Sequence, residues 1–497
     1  MNPLAALGDE ALHLTPSLWA AVWLVLWGPL LLGLVGLFFP PRRMLTAVAA
    51  YLPVMAATCW LIATVAASGP RHAILSLGEL TLTWYLDGLA TLLMLLTHTV
   101  LMASAVFAVG YCRAAELPSR PAAWLWPLLG GLSSGLTLIW IAADLLSLYV
   151  GLELMGLCAV ALMLLPGEVE ALAAGMRYLL YALVGSLAWL LGVSLLLGAW
   201  GRLDLAGLAA VAEPGGLTTI AVALLSAGLL LKAAIFPLHA WLAPVHGAAW
   251  IPVSAVHAAL VIKASFIILL KLWLLLVPGQ VAAAWWLGAL GSLAVLWGGL
   301  LAWRSQGLKE MVAFSTVGQL GYLMLAFPLL IGTSEVVAAL AWRGTWLHLA
   351  GHALAKAAMF MAVGSLVLST GCSKLVELAG TSRRLPLPLL TFGLAAVTLM
   401  GLPPSAGFTA KWLLLQAALR GEQWHWIVVL VLGTMLTAAY LFRMFRYSFD
   451  EQAPHLTYRR LPLGMDMMAL VLALTALALG LVADWPLGLL RPWGGGS

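Results

Sequence analysis

The run LLLKAAIFPLHAWLAPVHGAAWIPVSAVHAALVIKASF, residues 229–266, is thirty-eight residues long, and its only Asp, Glu, Lys or Arg are Lys232 and Lys263. Apolar runs of this length are not barrel strands, which alternate in segments of about 10 residues, so their backbone satisfies itself as helix. A bilayer core of roughly 30 Å takes about 20 apolar residues per helix. The same texture continues outward to both ends of the chain. Of 497 residues, 63% are hydrophobic and 9% charged, and the mean hydropathy is +1.04. These values exclude a soluble globular domain and leave no room for an appended one. The expectation is an all-α polytopic membrane protein.

A window of about 19 residues places helices near 17–39, 44–67, 85–110, 122–142, 145–165, 172–199, 216–236, 250–277, 282–303, 310–331, 335–369, 386–420, 424–447 and 466–486. The segment 335–369 is long for one upright helix, and prolines break 386–420. Charge tests the resulting count of fourteen, because basic residues gather in cytoplasmic loops. Loops after odd-numbered spans hold Arg42, Arg43, Arg113, Arg120, Arg177, Arg304, Lys309, Lys374, Arg383, Arg384, Arg443, Arg446, Arg459 and Arg460. Loops after even-numbered spans hold only Arg71, Arg202, Lys271, Arg343 and Arg420. The asymmetry puts both termini outside, in a bacterial inner membrane. The N-terminal stretch MNPLAALGDEALHL carries acids where a signal peptide has basic residues, so the first span is expected to be retained.

The net charge of +5 is scattered over short loops rather than clustered, so no nucleic-acid site is read. Cys59, Cys112, Cys158 and Cys372 lie in four separate segments without CxxC or Cys/His spacing. No redox centre, cofactor or metal is expected within this chain.

Four lysines, Lys232, Lys263, Lys356 and Lys411, stand inside apolar segments, and Glu153 is the only charge between Asp144 and Glu168. An ionised group at mid-bilayer costs at least about 2.5–3.5 kcal/mol, so such groups face the bundle interior and mark an ion path. A lysine near a helix end alternatively snorkels to the interface, and a Glu–Lys pair alternatively serves folding alone. Five such charges together favour the path. His348, His352 and Lys356 recur at i, i+4 and i+8, which puts them on one helical face with about 40° of drift per step. His257 and Lys263 are six apart, and His239 and His246 flank the Trp241–Pro244 stretch. Taken singly, a buried histidine is more often a satisfied core residue than a proton carrier. His348 and His352 have metal-ligand spacing, but no carboxylate or thiol nearby completes a site. Desolvation lowers the pKa of a buried lysine and a nearby carboxylate raises it again, so a Lys whose Glu approaches and withdraws is loaded and emptied. Histidine relays near neutrality.

Two segments interrupt their helices beside a lysine: one after Lys232, through Pro237 and Pro244, and one before Lys411, through Gly401, Pro403, Pro404 and Gly407. A single break reads as a plain proline kink. Paired breaks in corresponding positions point to inverted repeats and a midplane site.

Five ordered motifs, DLLSLYVGLELMGL (144–157), the 229–266 run, GLKEMVAFSTVGQLGYLML (307–325), HLAGHALAKAAMFMAVGSL (348–366) and GLPPSAGFTAKW (401–412), resemble the antiporter-like family. That family comprises proton-channel membrane subunits of respiratory complex I, related hydrogenase subunits, and large subunits of multisubunit sodium/proton antiporters. The resemblance covers roughly residues 85–445. It implies fourteen helices with two inverted five-helix repeats, each containing a broken helix. The corresponding division is 1–110 (N-terminal helices), 111–280 (first repeat), 281–450 (second repeat) and 451–497 (last helix and tail).

Residue by residue, the resemblance implies that Glu153 pairs with the first broken-helix lysine, Lys232, and that Lys263 is the next relay lysine. His348, His352 and Lys356 resemble the central hydrated axis, and Lys411 the terminal proton carrier. His239, His246 and His257 are expected as further relay or gating groups. Where relatives commonly read WLPDAH, this chain has Trp241-Leu-Ala-Pro-Val-His246, so an acid often seen there is missing. Arg177 stands where a lysine is often found. The chain also stops shortly after the last span, without the long lateral helix of the largest complex I subunit. That favours a D-type antiporter subunit or a shorter complex I or hydrogenase subunit. The expected function is proton translocation by a subunit of a multisubunit cation (sodium)/proton antiporter, with other membrane subunits as partners. The alternative is a pump subunit powered by NADH:quinone or hydrogenase chemistry in partner chains. An energising subunit for inorganic-carbon uptake ranks below both, because the lysine motifs are complete.

Overall fold

The computed structural model describes residues 12–41, 43–77, 80–212, 215–450 and 457–490. Arg42 and the first eleven residues, on which the sequence reading drew, lie outside these. The chain runs through α1 (Pro16–Phe38), α2 (Met44–Ser68), α3 (Gly88–Ala114), α4 (Ser119–Ile141), α5 (Leu145–Leu164) and α6 (Val169–Trp200). Then come short α7 (Leu205–Val211), α8 (Gly216–Lys232), short α9 (Leu242–Ala248), α10 (Ile251–Leu276), α11 (Val281–Arg304) and α12 (Leu308–Leu330). The remainder is α13 (Glu335–Thr370), α14 (Pro386–Met400), α15 (Ala406–Arg420), α16 (Trp424–Ser448), α17 (Leu463–Leu481) and short α18 (Asp484–Gly488).

Twelve of these, among the described residues, are long and apolar enough to cross a bilayer. The two remaining spans of the expected fourteen are where the helices break. The predicted 216–236 ends at Lys232 as the 17-residue α8, and 386–420 is two 15-residue helices, α14 and α15. At 1.5 Å per residue such pieces reach only about 23–26 Å, short of a hydrocarbon core. α10, α12 and α13 are almost wholly buried, whereas α1, α2, α6, α11, α16 and α17 keep much of their apolar surface outward. Helices apolar all round are sorted by neighbours rather than by amphipathicity: α13 packs against α14, α15 and α17, α6 against α8, and α11 against α12 and α16.

A small sheet was not foreseen. β2 (Arg71–Leu77) and β3 (Leu80–Leu86) form an antiparallel hairpin, and β1 (Leu12–His13) adds parallel to β2. The hairpin is fastened to the turns beside it. Thr83 N donates to Asp144 Oδ2 at 2.8 Å, and Ala143 N donates to the Thr83 carbonyl at 2.8 Å. Leu145 N reaches the Leu203 carbonyl and Leu205 N the Ala143 carbonyl, both at 2.9 Å. Asp144 is fully buried and caps α5, accepting from Ser147 N at 2.6 Å and Ser147 Oγ at 2.7 Å. Lys271 corrects the loop assignment: it is buried inside α10, five residues before its end, and donates to the Ala142 carbonyl at 2.7 Å.

Candidate functional site

Glu153 on α5 and Lys232, the last residue of α8, meet at 3.0 Å between Oε1 and Nζ. Ser186 Oγ of α6 donates to the same carboxylate oxygen at 2.5 Å. The close crossing of α6 and α8 makes room for the lysine: a Cβ on Gly228 would stand 2.4 Å from the Gly185 carbonyl oxygen, so small residues are required there. A cation in the last turn of α8 faces the helix's partial negative end. The break begins at once. Trp241 Nε1 donates at 3.1 Å to the Leu231 carbonyl, which also accepts from Ala234 N at 3.2 Å. Pro237 lies in the gap, and Pro244 inside the first turn of α9. The Phe236–Pro237 and Pro403–Pro404 peptide bonds are both cis.

His257 opens a π-helical turn, His257–Val261, within α10. Such turns interrupt the α-ladder and recur at functional sites. Here Lys263 Nζ donates to the Ala258 carbonyl at 2.7 Å, a contact within its own helix. Tyr178 of α6, stacked on Trp241 at 4.3 Å, sets its hydroxyl 3.2 Å from His257 Nε2. The His246 and His257 rings meet edge-on at 5.1 Å, and His246 stacks on Phe360 of α13 at 4.9 Å. Among the described residues, neither ring nitrogen of His246 or His352 has a hydrogen-bond partner, although both residues are buried.

On α13, Lys356 Nζ donates to the Val312 carbonyl at 2.8 Å and to Ser315 Oγ, both on α12. His348 and His352 lie nearly parallel with ring centroids 5.9 Å apart, and the Gln319 carbonyl is 3.2 Å from His348 Nε2. The His257–Val261 turn, to which Lys263 reaches back, packs against α13. Tyr322 of α12 joins this stripe to the last lysine. Its ring lies 5.6 Å from that of His348, and Lys411 Nζ sits 4.6 Å over it.

Lys411 on α15 is held by the end of α14. It donates to the carbonyls of Leu399 at 3.0 Å and Met400 at 3.2 Å, and to Thr434 Oγ1 at 3.1 Å. The last carbonyls of a helix have no intrahelical donor, so the break at Gly401 creates this ammonium's acceptors. Gly401 has φ +78°, and a Cβ there would stand 2.8 Å from Lys411 Cδ.

The structure thus brings Glu153 to Lys232, His246 to His257, and His348 to His352 and, through Tyr322, to Lys411. His239 stands apart, stacked on Phe236 at 5.7 Å. Sequence reasoning missed Ser186, Tyr178, Ser315, Gln319, Tyr322 and Thr434. Neutral hydroxyls and amides in apolar helices give no signal of their own. The strands missed were legible in LTLTWYL, 80–86, whose period-two alternation a hydropathy window averages away.

Residues 142–437 match the family model described as NADH:quinone oxidoreductase/Mrp antiporter, transmembrane. The N subunit of NADH-quinone oxidoreductase from Desulforudis audaxviator is 32% identical over 368 residues, covering 70% of this chain and 72% of that one. The Na(+)/H(+) antiporter protein of the D type from Bacillus subtilis is 26% identical, covering 72% of each. In the solved Mrp complex from Dietzia sp. DQ12-45-1b, one chain superposes with a TM-score of 0.84 at 24% identity, covering 96% of both, which speaks for the fold. With a family match that spans every buried lysine described above, this integral membrane protein belongs to the NADH:quinone oxidoreductase/Mrp antiporter family.

Proposed function

We propose that the chain is a proton-translocating subunit of a multisubunit membrane complex, most readily a cation/proton antiporter of bacterial inner membranes, with both termini outside. The observation that carries this reading is the 3.0 Å Glu153–Lys232 pair at a helix break, from which buried lysines and histidines continue to a second break at Lys411. In outline, a proton reaches Lys232, passes by Lys263 to Lys356 and along the His352–His348 stripe, and leaves through Lys411. Approach and withdrawal of Glu153 alternates the proton affinity of Lys232, which makes a gated relay rather than an open pore. Glu153 retains 28% exposure of its side chain. A carboxylate so placed at membrane depth calls for a covering neighbour, and this supports partner subunits.

The second reading, a pump powered by redox chemistry in partner chains, is favoured by the 32% identity to an N subunit of NADH-quinone oxidoreductase. It uses the same residues. Proton flux in proteoliposomes holding the assembled complex tests the relay: Glu153→Ala or Lys232→Ala is expected to abolish most of it, and full flux in either variant overturns it. Mass spectrometry of the native complex, with an absorbance scan, tests the drive. Small hydrophobic partners without flavin or iron–sulfur bands mean an antiporter, and their presence means a redox pump.

A further inference from the structure

At the end of the bundle where the basic loops gather, the last turns of α11 and α16 border a cleft of about 1060 Å³. Arg304 closes α11, and Arg443 and Arg446 stand one turn apart near the end of α16. Arg443 is engaged, donating to the Ser305 carbonyl just beyond α11. Arg304 and Arg446 are exposed, and among the described residues neither has a hydrogen-bond or ion-pair partner. Among the described residues, no carboxylate lines the cleft. Its apolar rim is Trp303, Phe442 and Phe449, at 48%, 60% and 64% exposure.

Basic residues at helix C-termini favour the helix dipole, and that accounts for one arginine per helix. It does not account for two unpaired guanidiniums sharing one cleft with an exposed aromatic rim. At a membrane boundary, aromatic rings sit at headgroup level, basic pockets between helices attract anionic headgroups, and guanidinium forks match phosphate oxygens bidentately.

We propose that this cleft is a binding site for an anionic phospholipid, whose phosphate is held between Arg304 and Arg446 and whose upper acyl chain lies against Trp303 and Phe442. The detergent-purified, delipidated complex is offered phosphatidylglycerol or phosphatidylcholine and read by native mass spectrometry. Phosphatidylglycerol is expected to be retained roughly tenfold more than phosphatidylcholine. R304Q/R446Q is expected to erase that preference, and R304Q alone to reduce it, should the double variant fail to assemble. An unchanged preference in either variant overturns the site. So does loss of a protein partner from R304Q with lipid retention intact, which would make the cleft a contact between subunits.

Discussion

Tyr178 connects two parts of the site that the charged residues alone leave separate. Its hydroxyl touches His257 at 3.2 Å, and its ring stacks on Trp241, whose indole donates to the Leu231 carbonyl beside Lys232. A phenol both donates and accepts, so in the proposed relay Tyr178 can pass a proton without holding a charge in the membrane. Tyr178→Phe keeps the stack and removes the hydroxyl. The expected loss of flux is roughly tenfold, with stability lowered by only about 1 kcal/mol, the net value of one hydrogen bond. Flux and thermal unfolding measured on the same preparation check this, and wild-type flux would remove Tyr178 from the path. Lys232 and Lys411 were legible because an ionised group in an apolar run is costly and conspicuous. Tyr178, Ser186 and Gln319 were not, since neutral polar groups cost little there and their partners lie on other helices.

At the scale of elements, a helix break supplies acceptors. α14 stops at Gly401 in the left-handed region, and its final carbonyls turn to Lys411. Gly401→Ala places a Cβ residue where the left-handed conformation costs about 1–2 kcal/mol and crowds the lysine stem at 2.8 Å. The expected result is a lower unfolding temperature together with reduced flux. Unchanged values for both would mean that the break tolerates a side chain. Proline and glycine made both breaks visible in the sequence, but not their edges: Pro244 entered α9 rather than the gap, because proline is well accommodated in a helix's first turn. Lys271 was misplaced for a related reason. Distance along the sequence put it near a boundary, while packing under the Ala142 carbonyl put it inside the bundle.

For the whole molecule, the partly exposed Glu153 bears on assembly. A hydrophobic carbodiimide is expected to modify Glu153 readily in the separated chain and several-fold more slowly in the complex, where a neighbour covers the carboxyl. Peptide mass spectrometry reads the modification, and equal rates would place the neighbour elsewhere. The fastening of the hairpin to Asp144 and to the 203–205 turn has a mechanical meaning. It pins the start of α5 and makes that point a pivot, with Glu153 nine residues along the lever. At 1.5 Å per residue the arm is about 13 Å, so a tilt of roughly 5° swings the carboxylate about 1 Å. Directed away from Lys232, that swing takes the 3.0 Å contact to about 4 Å, beyond hydrogen-bonding range. In the proposed relay, a tilt of a few degrees is therefore enough to part the pair and loosen the lysine's hold on its proton.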